Sequence, residues 1–196
     1  ETTGYFRPEG LAPKGFRAVL FEKLDWEGKP SGTYVLAFAG TNDPADIGTD
    51  VANGLGYLTA QYEYGVDLAK SLMQRYGNDN KDNFSLVGHS LGGGIASTAS
   101  VAFHIPATVF NPAGVSLFVA LQFNVAADLK NLKAPITVYR VYGEPLTSIQ
   151  DSNLFLGPLP VGWIMPNTVA SRKITLYSDL PLWDPRRHSM STVLRA

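Results

Sequence analysis

The chain has no cysteine, only three histidines, no long apolar run and no block of basic residues. Without cysteine, disulfides and thiolate metal sites are excluded. A transmembrane helix needs roughly 20 consecutive apolar residues, which no segment supplies, so no membrane span is predicted. The net charge of −1 and the missing basic block argue against nucleic acid as a partner.

What remains is a chain suited to one globular domain. Its 196 residues match the usual size of a domain, and 45 % of them are hydrophobic, enough for a sizeable core. We therefore expect a single domain over residues 1–196. Because the chain begins at Glu1 rather than Met, we expect a processed product or a piece of a longer chain.

Strand-like and helix-like patterns alternate along the sequence. Runs of β-branched and aromatic residues predict strands over 17–22, 33–38, 84–87, 107–110, 136–141 and 173–177. Helical spacing predicts helices over 62–76, 91–103, 115–132 and 188–195. Residues 1–13 are predicted to form an arm, and 143–170 a long connection. The alternation predicts an α/β fold with a central mixed, mostly parallel sheet, flanking helices and an antiparallel hairpin at one edge.

One motif points directly to chemistry: Gly88-His89-Ser90-Leu91-Gly92, between a predicted strand and a predicted helix. This is G-x-S-x-G in the strand–turn–helix setting of an α/β-hydrolase nucleophile elbow. Ser90 is the predicted nucleophile, on a strained turn whose glycines let strand and helix approach. The backbone N–H of Leu91, at the helix N-terminus, is a predicted oxyanion donor. The alternative is a glycine-rich turn that only packs a helix on a strand.

Other segments accompany the elbow in a characteristic order. They are Phe38-Ala39-Gly40-Thr41, Asp50-Val51-Ala52-Asn53 with Gly54 and Gly56, Gln61-Tyr62, Ala107 through Gly114, and Arg187-His188-Ser189-Met190. With the elbow they resemble the class 3 lipases, and more closely their bacterial phospholipase A1-like branch. The resemblance extends over about residues 15–194. It implies an α/β-hydrolase fold and a serine esterase that acts on lipids.

The serine requires a general base, for which histidine suits neutral pH. The side chain of His89 is expected to point away from the Ser90 hydroxyl, and His104 lies near the opposite end of the predicted sheet, so both are interpreted as structural. His188 follows the last predicted strand, where α/β-hydrolases place their base. The resemblance around Arg187-His188-Ser189-Met190 supports the same choice.

The third member of such a triad is a carboxylate that orients the histidine. The predicted strand 136–141 ends just before Glu144, and the resemblance places an acid there, more often Asp. Glu144 is therefore the first candidate. Asp151, on the same connection, is the alternative, and Asp184 is a third candidate.

The resemblance also implies a second oxyanion donor and a movable cover. Thr41 matches the Ser or Thr whose backbone N–H faces the oxyanion in class 3 lipases; a turn or helix-capping role is the alternative. Residues 41–61 correspond to the lid region, although a static loop is equally consistent with their composition. The apolar connection 154–166 is a candidate for an acyl groove or a membrane contact. Arg186 and Arg187 are candidates for binding a lipid phosphate.

Together these features predict a serine hydrolase that cleaves lipid carboxylic esters through an acyl-enzyme, without a metal or cofactor. The resemblance implies phospholipase A1-type release of fatty acid at a membrane or micelle surface. A triacylglycerol or monoacylglycerol lipase, or a general carboxylesterase, is the alternative enzyme, and a silent lipid-binding module of a secreted effector is the alternative that is not an enzyme. We expect a secreted or delivered bacterial protein, with an immunity protein as a further partner if it is an effector.

Overall fold

The computed structural model describes residues 2–6, 12–40, 55–77, 81–115, 117–126, 134–150, 155–156, 159–160 and 170–196. Nine strands occur in this part of the chain: β1 (Thr2–Phe6), β2 (Ala18–Leu24), β3 (Pro30–Phe38), β4 (Phe84–His89), β5 (Ala107–Phe110), β6 (Ile136–Val141), β7 (Phe155–Leu156), β8 (Leu159–Pro160) and β9 (Arg172–Leu176). Its helices are α1 (Leu55–Tyr76), α2 (Leu91–Phe103), α3 (Leu117–Gln122), α4 (Pro145–Gln150) and α5 (Met190–Val193). Two single 3₁₀ turns span Lys81–Asn83 and Pro185–His188.

Seven of the strands form one mixed sheet in the order β1-β2-β3-β4-β5-β6-β9. The first three are antiparallel, and from β3 onward every neighbouring pair is parallel. This confirms the predicted mostly parallel sheet with an antiparallel edge. Because parallel strands share a direction, the carboxyl ends of β3, β4, β5, β6 and β9 lie at one edge of the sheet.

The sequence periodicities explain how the helices cover the sheet. On α1 the buried residues Tyr62, Val66, Ala69 and Leu72 recur at helical spacing and form one apolar stripe. Helix α2 is buried along nearly its whole length and packs against β4 and α1. In β4, buried residues alternate with less buried ones, so Phe84 and Leu86 lie on one face of the strand and belong to the hydrophobic core.

Two predictions about connections were wrong. Part of the predicted arm, Thr2–Phe6, is strand β1, which adds an antiparallel edge outside β2. The predicted connection 143–170 contains α4 and the small β7–β8 hairpin. Within the described ranges, no helix is long and apolar enough to cross a membrane.

Candidate active site

Ser90 occupies the tight turn between β4 and α2. Its backbone has φ 54° and ψ −124°, in the left-handed half of dihedral space that non-glycine residues seldom adopt. The turn is fixed because the Ser90 carbonyl accepts the N–H groups of Gly94, at 3.1 Å, and Ala113, at 2.8 Å. A strained and buried serine at the carboxyl end of a central strand has the geometry of a nucleophile elbow.

The glycines beside Ser90 are required by close packing. A Cβ atom at Gly88 would overlap the carbonyl group of Gly92, and one at Gly92 would overlap the carbonyl oxygen of Phe38. The elbow therefore lies directly against the end of β3. Gly40 packs there too, since a Cβ atom on it would come within 3.1 Å of the Ser90 Cβ.

His188 and Glu144 meet in the interior. The Nδ1 atom of His188 lies 2.7 Å from Oε1 of Glu144, and the side chains are 4 % and 0 % exposed. Because a carboxylate only accepts, the hydrogen on this bond belongs to Nδ1 of His188 when Glu144 is ionised. His188 Nε2 is then the basic nitrogen of the neutral ring.

The Glu144 carboxylate also caps the N-terminus of helix α4. Oε1 accepts the N–H of Leu146, and Oε2 accepts the N–H and the hydroxyl of Thr147, at 2.7, 2.7 and 2.5 Å respectively. Burial alone would raise the pKa of Glu144, but the hydrogen bonds from His188 and Thr147 and the charge of His188 outweigh it. The net effect lowers the pKa of Glu144 below its ordinary value, so the group is a carboxylate at neutral pH.

The Nε2 atom of His188 is buried and has no hydrogen-bond partner among the described residues. The Ser90 hydroxyl is therefore not hydrogen-bonded to it in this structure. Catalytic hydrogen bonds are often long in the absence of substrate. An unprotonated, unpartnered imidazole nitrogen can accept a proton from a hydroxyl that approaches it.

His89, the residue before Ser90, contacts the loop of His188. Its Nε2 atom lies 2.6 Å from the His188 carbonyl oxygen, and the two rings are 4.8 Å apart. A carbonyl only accepts, so His89 carries its hydrogen on Nε2. Burial, and next the neighbouring His188, lower the pKa of His89 from 6.5 to about 4, so this ring is neutral near pH 7.

Asn111 is a second contact of that loop, and its role was not predicted. It follows β5, is completely buried and has φ 36°. Its Nδ2 donates to the carbonyls of Arg187, at 3.1 Å, and His188, at 3.4 Å, while its Oδ1 accepts the N–H of Val141 at 2.9 Å. One asparagine thus links the ends of β5 and β6 to the segment that carries His188.

Arg187 is buried rather than directed at solvent. Its guanidinium donates to four backbone carbonyls, those of Tyr142, Ser178, Leu180 and Pro181. This arrangement corrects the expectation that Arg187 is available for a lipid phosphate. Arg186 is exposed and paired with Asp184 at 2.6 Å, so the third candidate acid has an arginine partner.

Of the other predicted site residues, Leu91 and His104 lie in the described part of the chain, and Thr41 and Asp151 lie outside it. Leu91 is the first residue of α2, where backbone N–H groups have no acceptor within the helix. His104 is exposed at the C-terminal end of α2, the end far from Ser90. Thr41, Asp151 and residues 41–54 of the expected lid lie outside the described residues, and 55–61 are the first turns of α1.

Beside Glu144 and His188 lies an exposed apolar surface, here called the aromatic rim. Tyr142 and Tyr177 have ring centroids 5.9 Å apart, Leu182 packs against Gly143, and the Trp183 N–H donates to the Gly143 carbonyl. The four side chains are 57 to 71 % exposed. Trp183 has φ 65°, so a strained backbone presents the largest side chain of the rim.

Comparison with known proteins agrees with this geometry. Residues 4–173 match the model of the Tle-like phospholipase domain. The chain belongs to this family. It is also 37 % identical over 180 residues to an extracellular phospholipase A1 of Serratia liquefaciens, covering 90 % of this chain and 51 % of that protein. The Tle-like match contains Ser90 and Glu144 but ends before His188.

Among solved structures, a mutant form of MDLA from Penicillium cyclopium superposes with a TM-score of 0.50 at 15 % identity, covering 97 % of this chain and 67 % of that one. This likeness supports the fold alone. The predicted α/β fold and the membership of a bacterial phospholipase-like family are confirmed. The chain spans about half the length of the Serratia relative.

Proposed function

We propose that this Tle-like domain hydrolyses glycerophospholipids by phospholipase A1-type chemistry, with Ser90 as nucleophile, His188 as base and Glu144 as the orienting acid. The observation that carries the proposal is the buried His188–Glu144 hydrogen bond beside a strained serine elbow. The name of the Serratia relative supports the substrate class.

The reaction follows from the positions of the protons. His188 Nε2 takes the Ser90 hydroxyl proton as Ser90 Oγ attacks the ester carbonyl, and the N–H groups of Leu91 and Thr41 stabilise the oxyanion. The bond to the lysophospholipid oxygen then breaks, and His188 returns the proton to that oxygen. Water, deprotonated by His188, attacks the acyl-enzyme. Free fatty acid leaves, and the Ser90 hydroxyl is restored.

The aromatic rim supports the expected contact with a membrane surface. Tyrosine and tryptophan combine an apolar ring with a polar atom and are enriched at membrane interfaces. Tyr142 and Trp183 lie on the two loops that carry Glu144 and His188. A bilayer bound to the rim would lie beside the site that acts on its lipids.

Secretion or delivery outside the producing cell is part of the same proposal, supported by the extracellular relative. If the protein is delivered into other cells, an immunity protein that covers the site is the expected further partner. Such a protein would protect Ser90 from a fluorophosphonate, which reacts with activated serines.

The test uses phosphatidylcholine with distinguishable sn-1 and sn-2 chains, wild type and Ser90→Ala, with the released acid identified by mass spectrometry. Release of the sn-1 chain by wild type alone supports the proposal. Hydrolysis of short-chain or neutral glycerides without phospholipid hydrolysis favours the lipase or carboxylesterase alternative. No fluorophosphonate labelling of Ser90, with no ester hydrolysed, favours a silent lipid-binding module.

A further inference from the structure

We propose that His89 is a positioning residue for the base: its Nε2–H bond to the His188 carbonyl holds the base in register with the nucleophile next to His89 in the chain. This inference rests on the proposed function, because it assigns His188 the role of base. It gives the variable position of the G-x-S-x-G motif a specific task in this protein.

The contact connects two distant parts of the chain by a short path. Residues 89 and 188 are 99 positions apart, yet Nε2 and the carbonyl oxygen are separated by only 2.6 Å. His89 precedes Ser90 in the chain. Its hydrogen bond therefore connects the backbone of His188 to the nucleophile through a single residue. Asn111 supports the same carbonyl from β5 with its Nδ2 atom.

The His188 ring is therefore held from two sides. Glu144 fixes the side chain through Nδ1, and His89 and Asn111 fix the backbone through the carbonyl oxygen. With both ends fixed, Nε2 is the ring nitrogen left for the reaction. A misplacement of about 1 Å in such a constellation can lower the rate about 100-fold.

The chemistry of His89 suits this task. Its Nε2–H is a rigid donor at the end of a planar ring, and the ring packs 4.8 Å from that of His188. When His188 accepts a proton it becomes a cation, and a charged neighbour at this distance would oppose that step. A neutral His89 donates its hydrogen bond without this repulsion.

The kinetic test compares His89→Leu, which removes the donor, with His89→Gln, whose amide nitrogen can reach the same carbonyl. On a soluble short-chain ester we expect His89→Leu to lower kcat about 10- to 100-fold with KM nearly unchanged, and His89→Gln to recover most of this loss. Thermal unfolding is measured for each variant. His104→Asn, at the exposed histidine, is the control expected to match wild type.

A merely structural role would lower the amount of folded protein and affect Leu and Gln variants alike, which would overturn the proposal. Wild-type kcat in His89→Leu would overturn it too. The proposed function fails by a different result, namely absence of ester hydrolysis and fluorophosphonate labelling in the wild type.

A measurement without substrate tests the role of His89 even if the wild type hydrolyses no ester or if His89→Leu does not fold. Nitrogen-15 NMR of the wild-type imidazoles is expected to show His89 protonated on Nε2 at neutral pH. The His188 Nδ1–H resonance is expected to move in His89→Leu and return toward its original position in His89→Gln. An Nδ1-protonated His89 in the wild type would overturn the proposal, whatever the activity.

Discussion

The Glu144 carboxylate lies 2.7 Å from Nδ1 of His188, and it also caps the N-terminus of α4, the helix that follows Glu144. It turns back over the first turn of α4 and accepts the N–H groups of Leu146 and Thr147. The same carboxylate therefore fixes both the His188 ring and the start of α4.

Replacing Glu144 by Gln is expected to lower kcat for a soluble ester about 10³- to 10⁴-fold. The amide NH₂ group cannot accept the Nδ1 hydrogen, and it favours the tautomer of His188 that carries the hydrogen on Nε2. Glu144→Asp is expected to lose less activity, because it keeps the charge but not the reach. Steady-state kinetics, with circular dichroism to verify folding, measures both.

Two controls identify the acid. Asp184→Asn is expected to retain activity, since Asp184 is bound to Arg186 and largely serves the 3₁₀ turn. Asp151→Asn is expected to do the same. An inactive Asp151→Asn beside an active Glu144→Gln would transfer the role to Asp151.

The elbow could be predicted from the sequence because its determinants are local. The strand, the two glycines and the small residues of α2 are adjacent in the chain, and each is needed for the turn. Helix α4 was missed although its start has a signal, Glu144 followed by Pro145 at the first helical position. The stronger pattern in the long connection is the apolar content of residues 154–166, which follow this short helix.

The roles of Asn111 and Arg187 could not be predicted in the same way. Both act on backbone carbonyls that are remote in sequence, such as that of Tyr142, 45 positions before Arg187. From the sequence, an arginine next to the base could be an exposed cation or a buried donor to backbone carbonyls. Only the packing of the loop distinguishes these two roles. The segment 107–114 carries part of the resemblance to class 3 lipases, but it does not indicate which groups Asn111 contacts.

Arg187→Met is expected to destabilise the fold by about 2 to 4 kcal/mol, because several buried carbonyls lose their donor. Arg187→Lys should recover only part of this, since an ammonium cannot reproduce the planar array of guanidinium donors. Denaturant unfolding measures the change. The neighbouring Arg186→Gln is the matched control, and it is expected to unfold close to wild type because the Arg186 side chain is exposed and its ion pair with Asp184 is screened by solvent. Equal effects of Arg186→Gln and Arg187→Met would contradict the structure.

Stability is expected to fall as pH decreases from about 6.5 to about 4. The pKa of His89 is about 4 when folded and 6.5 for an ordinary histidine, so between these values the unfolded chain binds the extra proton and acid favours unfolding. The full effect is of the order of 3 kcal/mol. The lowered pKa of Glu144 acts in the same direction below pH 4.5.

His89→Gln removes the titrating ring, so its free energy of unfolding should depend less on pH over this interval than that of wild type. Denaturant titrations at several pH values measure the two slopes. Identical slopes would mean that His89 is readily protonated in the folded protein, contrary to its burial beside His188.

Trp183→Ala is expected to weaken binding to phosphatidylcholine vesicles about 30-fold, because an aromatic ring that becomes buried at a lipid interface contributes about 2 kcal/mol. Trp26 offers a matched control: it is 91 % exposed, but it lies on the β2–β3 turn, at the opposite end of the sheet from Ser90. Co-sedimentation with vesicles, using Ser90→Ala as background to prevent hydrolysis, compares the two variants. Hydrolysis of a soluble ester, measured with Ser90 intact, should be nearly unchanged in both, since neither indole takes part in the proton transfers of the proposed reaction. If Trp26→Ala weakened binding as much as Trp183→Ala, the aromatic rim would have no special part in membrane contact, and exposure alone would explain the effect.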